Sequence, residues 1–420
     1  MQSQTLFIFT EYFPQYKQRF GNLAEKKLNR IILRAEAEAK LAYKKLSKPQ
    51  TCSLKVYIEL WVRRSVHEYI TSRTLKAISP NKTNQDAYSQ ALQNFFYHLP
   101  LQLIPHIYKE IFDSKLEVRK KIWEKINLPT EKLEIAFIDI VKTRNQDALE
   151  RGFKDELEFV WANKKIPHTE EQKFIKNLDK VLKYCNQNLP DTGKLPNNFY
   201  SVFNLPCYFC RLPEFPFKNL DGVRKFMFEQ YTCLEKFKDK IIVKDSDRTD
   251  MCYEKENDTF QIRINKNFNL RHQSLFLIHE LGHVVDHLNK FSNEIDPMKA
   301  GKYSGEKAVK EIEMHTLQKI STQLYQANLA DILLLLRLTI FEIELYKKPE
   351  QDLSKLYAKT FNRCFNGAKQ KTNPTYLINE NIIANPFSSL PHAVAAVNVL
   401  KEPLLSKQRF SDLRFPDNSP

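Results

Sequence analysis

Glycine is the residue this chain nearly does without, with 8 in 420 positions, against a usual share of about 7%. Tight hairpins and left-handed turns lean on glycine, because only a residue without a Cβ takes φ > 0 at no steric cost. A chain so short of it has few means of building an extensive antiparallel sheet, and a mainly α fold is the economical solution. The patterning agrees. Residues 1–187 read as a succession of amphipathic helices, with apolar positions at three- and four-residue steps in "LAEKKLNRIILRAEAEAKLAYKKL" and "EVRKKIWEKI". No fixed-period repeat runs through them, which sets a solenoid aside.

The texture changes after Asn188. Prolines at 190, 196, 206, 213 and 216, with aromatics between them, mark an irregular connection up to Gly222. A chain of this length exceeds one comfortable core, so the expected organisation is a helical lobe over 1–187, a connection over 188–222 and a second lobe over 223–420. Within that lobe, Ile241–Val243 and Phe260–Ile264 read as short strands joined by a polar loop, forming a β-hairpin or small sheet. Phe260, Ile262 and Ile264 alternate with Gln261 and Arg263, so one face is buried and the other wet. A strand placed there, just ahead of a long helix, is positioned to pair with an extended peptide by edge addition. Helices follow over Gln273–Lys290, Glu306–Ala327, Ala330–Lys347 and Pro391–Lys401.

The bulk chemistry narrows the class. Net charge is +15, yet lysines and arginines are mixed with acids along the chain, as in "EVRKKIWEKINLPTEKLE". This is the pattern of solvated helix faces rather than of a nucleic-acid surface. A nucleic-acid or acidic-surface binder with a structural zinc is the minor alternative. Seven irregularly spaced cysteines do not make a disulfide framework, and Cys207 and Cys210 form a lone CxxC with no companion pair. The N-terminal stretch lacks the basic flank and long apolar core of a secretory signal. The most apolar helix, "LADILLLLRLTIFEIELY", carries Asp331, Arg337, Glu342 and Glu344 and so reads as buried rather than membrane-spanning. The expected location is the cytoplasm.

The stretch "LFLIHELGHVVDHLNK", residues 275–290, carries the chemistry. On a helix, His279 and His283 lie one turn apart and face the same way, so both imidazoles can reach one ion. Glu280 stands beside them, placed to act as general base on a water acidified by zinc. Gly282 inside the helix costs about 1 kcal/mol against alanine, which predicts that something approaches closely there. Two histidines need a third ligand. His287 shares their face, but one straight helix does not wrap three ligands around one ion. The next helix offers Glu306, Glu311 and Glu313. Glu311 lies off the apolar stripe Val309, Ile312, Thr316, Ile320, beside His315 and Gln318, and is the first choice; Glu306 is the runner-up. Glu306 and Glu313 fall nearer the apolar side.

With these residues in view, the chain resembles the thimet oligopeptidase and oligoendopeptidase F group of zinc metallopeptidases. Four stretches carry the likeness in the family's order: "ALERGFKDELEFV" from Ala148, "HELGHVVDH", "YSGEKAVKEIEMHTLQ" and "NPFSSLPHAVAAVN". The likeness spans residues 145–405, and only the zinc motif is specific by itself. It implies a two-lobed, clam-like helical body with a deep channel, short peptides as substrates, and one zinc ion per chain. It implies that His279, His283 and Glu311 hold the metal, that Glu280 is the base, and that His392 binds the substrate or stabilises the oxyanion. The chain also departs from the pattern. Asp286 stands where the family has a histidine, and it is a candidate to orient a zinc histidine from behind. Ala393 to Val397 stand where the family places tyrosines that donate to the tetrahedral intermediate. Loss of one such donor lowers turnover by about 100- to 1000-fold. Tyr303 is a candidate substitute. The alternative expectation is a peptidase-like scaffold that binds peptides or a protein partner with little turnover.

Overall fold

Where the chain turns from one helix into the next, a short polar side chain or a left-handed glycine usually accounts for it. The computed structural model describes residues 130–189, 215–246, 250–254, 256–266, 270–292, 297–366 and 386–405, together with isolated positions within 87–95 and 372–383. The helices quoted above from the first 126 residues, and the CxxC, lie outside them. Helix α1 (Thr130–Glu150) ends in a turn at Gly152, whose φ of +82° suits glycine. The N–H of Gly152 and that of Phe153 return to the carbonyls of Leu149 and Ala148, at 2.9 and 3.0 Å. Asp155 then caps α2 (Glu156–Asn163) by accepting from the N–H of Glu158. Next come α3 (His168–Gln187), α4 (Leu220–Gln230), capped by Asn219, and the short α5 (Thr232–Lys236).

The predicted strands exist, but they do not form a hairpin with each other. Strands β1 (Ile241–Ser246) and β3 (Thr259–Asn265) pair in parallel, with Ile241 opposite Phe260. The segment expected to be a polar loop contains β2 (Asp250–Glu254), which pairs antiparallel with β3 and completes the order β1-β3-β2. Cross-strand polar contacts hold this edge. Arg263 grips Asp250 through Nε and Nη2, at 2.5 and 3.0 Å, and Gln261 donates to Glu254 at 2.5 Å. Phe260, Ile262 and Ile264 are buried, as their alternation predicts.

Helices α6 (Leu270–Ser292), α7 (Pro297–Ile320), α8 (Thr322–Lys347), α9 (Leu353–Cys364) and α10 (Leu390–Leu405) build the rest. The break between α7 and α8 falls at Ser321 rather than near residue 328. Ser321 caps α8 by accepting from the N–H of Gln323 at 3.2 Å. Helix α7 packs against α6, α8 and α10, while α3 packs against α8 and α10. One apolar cluster runs from Tyr88 and Phe137 through Val181, Leu281, Leu317 and Phe341 to Leu400. Inside it, Arg144 donates to Tyr346 Oη at 2.8 Å, to the carbonyl of Ile383 at 2.5 Å and to Tyr88 Oη. Among the described residues, no helix is long and apolar enough to cross a membrane.

Candidate metal centre

The centre is assembled where α6 and α7 cross. Leu277, Ile278, Leu281, Val284 and Val285 bury one side of α6 completely. That fixes the helix rotation and leaves His279 and His283 half-buried on the other side, with ring centroids 4.9 Å apart. The crossing is tight where α6 lacks a side chain at Gly282. A Cβ on Gly282 would meet Cγ1 of Val309 at 3.2 Å, which is the close approach that a glycine inside a helix foretells. A Cβ on Gly305 would make only ordinary contacts, 3.8 Å from His283 Nδ1 and 3.6 Å from Asp286 Oδ2.

Glu306 lies one turn before Val309 and so enters the gap beside the two histidines. Its Oε2 is 3.8 Å from His279 Nε2 and 4.0 Å from His283 Nε2. One donor atom from each of His279, His283 and Glu306 lies within 4.8 Å of the others. Donor atoms bonded at about 2.0–2.1 Å to one tetrahedral zinc stand roughly 3.4 Å apart, so the two Glu306–histidine separations need to close by about half an ångström each. Two imidazoles and a carboxylate also match the donor types zinc takes when a fourth position stays open. The residues present fit a metal ion.

The sequence-based choice of third ligand looks different in three dimensions. The structure brings Glu306 to the histidines, and Glu311 is outside that group among the described residues. Glu311 is half-buried, whereas Glu306 is 5% exposed. His287 also leaves the group. It packs against Tyr253 and Phe260 of the sheet, with centroids at 4.6 and 5.2 Å. Asp286 accepts from Lys290 Nζ at 2.6 Å. Glu280 is buried beside His279. The side chain of Tyr303 lies outside the described residues.

His392, from the first turn of α10, joins the centre. Its Nδ1 lies 3.0 Å from Glu306 Oε2, and its ring centroid is 6.2 Å from that of His279. Its position is well anchored. Glu342 of α8 accepts from the N–H of Phe387 at 2.8 Å, and Ser389 bonds Thr339 at 2.9 Å. Further along α10, Asn398 donates to Glu170 of α3 at 2.9 Å. Behind His392, Ala393, Val394, Ala395, Ala396 and Val397 are all fully buried, so this stretch of α10 has no phenol to offer.

Charges in the centre balance one another. Burial pushes the Glu306 carboxyl up, but His392, His279 and His283 outweigh it and hold the group ionised, well below the usual range. Burial likewise opposes charge on His279. The hydrogen bond to Glu313 and the charges of Glu280 and Glu306 overcome this, and its pKa is raised. Sequence reasoning offered Glu313 only as a third-ligand candidate and passed it over for Glu311 and Glu306. Its Oε2 lies 3.5 Å from His279 Nδ1 and accepts from Lys310 Nζ at 2.8 Å, while its Oε1 accepts from Asn328 at 3.0 Å. The signal was present in the spacing: Glu306 and Glu313 are seven residues apart, two turns along one helix face.

No family model matches the chain, and no curated protein matches it. Solved structures do. The chain is similar to two peptidases. One is PZ peptidase A, solved with an inhibitor, at 14% identity and a TM-score of 0.49, covering 95% of this chain and 85% of that one. The other is a structure from Bacillus anthracis str. Ames assigned as an oligoendopeptidase F, at 14% identity and a TM-score of 0.42, covering 91% of this chain and 82% of that one.

Proposed function

We propose that the protein is a zinc-dependent endopeptidase acting on oligopeptides. The observation that carries this reading is the convergence of His279, His283 and Glu306 donor atoms within 4.8 Å, with Glu280 next to the first of them. A zinc ion held by these three residues supplies Lewis acidity that lowers a water's pKa to about 7 and polarises a carbonyl. The chain's own groups do the rest. Glu280 is the general base: its carboxylate takes the attacking water's proton and passes it to the leaving amine nitrogen. His392 is the donor assigned to the developing oxyanion, a part that falls to it because the five residues behind it are buried and aliphatic. The strand ahead of α6 that was expected to take up a peptide, β3, is central and already paired with β1 and β2, so backbone pairing with an extended peptide falls to an outer strand of the sheet. The reading includes a two-lobed body, with lobes over 1–187 and 223–420 joined by 188–222, a deep channel that admits short peptides, and a cytoplasmic location.

A second reading has one observation in its favour. With no phenol behind His392, the same centre suits a scaffold that holds metal and binds peptides while turning them over slowly. One experiment separates the two. The parent and Glu280→Gln are loaded with zinc and incubated with a quenched peptide library, with products identified by mass spectrometry. The endopeptidase reading expects about one zinc per chain in both proteins and a loss of hydrolysis of at least about 100-fold in the variant. Equal cleavage by both proteins refutes the role of Glu280. Peptide binding without products in the zinc-loaded parent selects the scaffold.

A further inference from the structure

We propose that Glu313 is a positioning residue for the metal centre: it accepts the Nδ1 proton of His279 and so keeps Nε2 of that ring turned toward Glu306 and His283. The inference rests on the metal reading above. The geometry is two-sided. His279 Nε2 faces Glu306 Oε2 at 3.8 Å, while Nδ1 faces Glu313 Oε2 at 3.5 Å. Neutral imidazole carries a single N–H, and the nitrogen that meets a metal must be the bare one. A carboxylate behind Nδ1 selects the tautomer in which Nε2 is bare, fixes the ring plane, and raises the basicity of the ligating nitrogen.

Glu313 is built to remain an anionic acceptor. It is 7% exposed, and Lys310, which pairs with it at 2.8 Å, is 9% exposed. Asn328 of α8 fastens its second oxygen at 3.0 Å, so the carboxylate is oriented from two helices. Taking a lysine and a glutamate out of water is expensive, and a well-packed apolar pair of similar size serves stability equally well or better. The pair therefore has its use in what the carboxylate touches, and the oxygen that accepts from Lys310 is the same one that faces His279 Nδ1.

The test uses the full chain, stripped of metal and titrated with zinc against a chromophoric chelator. In the double variant Lys310→Met/Glu313→Leu, both buried charges give way to apolar side chains of similar volume, so the core stays filled. Glu313→Asp keeps the charge beside Lys310 but withdraws the carboxylate by one methylene from an Nδ1 already 3.5 Å away. Both variants are expected to unfold near the parent's melting temperature and to bind zinc about 10- to 100-fold more weakly. Glu313→Gln, whose amide oxygen can still accept from Nδ1–H, recovers part of the loss. In the cobalt-substituted chains the visible absorption bands shift in the double variant and less in Glu313→Gln, a change that a merely structural role does not produce. Folded double and Asp variants with the parent's zinc affinity overturn the assignment. A parent that takes up no zinc overturns the metal reading itself, and titrating it alongside tells the two failures apart.

Discussion

Gly282 sets the distance between the two helices that carry the centre, and enlarging it should dismantle the site without unfolding the protein. A Cβ at this position meets Val309 Cγ1 at 3.2 Å and Val309 Cα at 3.5 Å. Carbon atoms rest at roughly 3.5–4.0 Å, so alanine forces α7 back by about half an ångström or turns Val309 in a core where it is fully buried. Alanine also gains about 1 kcal/mol of helix propensity, which offsets the crowding, so the net change in stability is small. The effect on the centre is not small. Glu306 is one turn from Val309 and moves with it, whereas ligand distances in a working site hold to about 0.2 Å. Gly282→Ala is expected to weaken zinc binding by about tenfold, about 1.4 kcal/mol. Gly282→Leu, which drives the helices apart by a whole side chain, should abolish stoichiometric binding. Adding Val309→Ala removes the methyl that the new Cβ strikes and should return most of the affinity lost in Gly282→Ala. The assay is chelator-competed zinc titration, with helix content followed by circular dichroism. A folded Gly282→Leu chain that binds zinc like the parent refutes the argument that this crossing positions Glu306.

Two further outcomes follow from the same packing. Glu306→Gln should lose zinc binding while Glu311→Gln keeps it, as read by metal analysis after gel filtration; the reverse result restores Glu311 as the ligand. Glu342 tests the core. Burial pushes its carboxyl up to about 8, against the opposing hydrogen bond from the Phe387 N–H and the charge of Arg144. Its folded value therefore lies above the unfolded one, near 4.3. The folded state holds the proton more tightly, so stability is complete below about pH 4.3 and falls as pH rises toward 8. Glu342→Gln keeps an acceptor for Phe387. It should match the parent at pH 4.3 and exceed it by roughly 5 kcal/mol at pH 8.5, since each pKa unit is worth about 1.4 kcal/mol. Parallel pH profiles in urea unfolding count against it.

Much of the fold could be read from periodicity, and the misreadings have physical causes. The helices over 273–290 and 391–401 appear at their predicted places, with longer ends; buried residues recur at three- and four-residue steps in the first, while the second is buried almost without a break from 391 to 400. The break at Ser321 escaped notice because Leu317, Ile320 and Leu324 keep helical spacing straight across it, and a serine cap is a weak signal beside glycine or proline. Strand β2 escaped because it is an edge strand of five residues, half exposed, with Met251, Cys252 and Tyr253 in one unbroken run rather than in alternation. Its side-chain contacts with β3 are one ion pair, Arg263 with Asp250, and hydrogen bonds from Gln261 and Thr259 to Glu254, polar residues that resemble a loop when read along the chain. The parallel pairing of β1 with β3 could not be seen until β2 was placed.

The centre shows a sharper limit of reading helices by polarity. His279, Glu280 and His283 announce themselves because their spacing is local to one helix. The carboxylate on the next helix was sought off its apolar stripe, on the premise that a functional acid faces an open cleft. Helix α7 has little open side to offer: it packs against α6, α8 and α10, and Glu306, Val309, Lys310, Ile312 and Glu313 are all buried. A carboxylate that must meet two half-buried imidazoles belongs on the stripe facing them, and the residue marking that stripe is Val309, seated against Gly282. Acids placed one turn before it and one turn after it then have different neighbours. Glu306 meets the Nε2 side of His279, and Glu313 meets the Nδ1 side of the same ring. Buried acids at a seven-residue interval, bracketing the contact point of a helical glycine, are thus a stronger pointer to such a centre than any acid chosen for its exposure. The pattern requires both helices to be read together, since neither one's periodicity contains it.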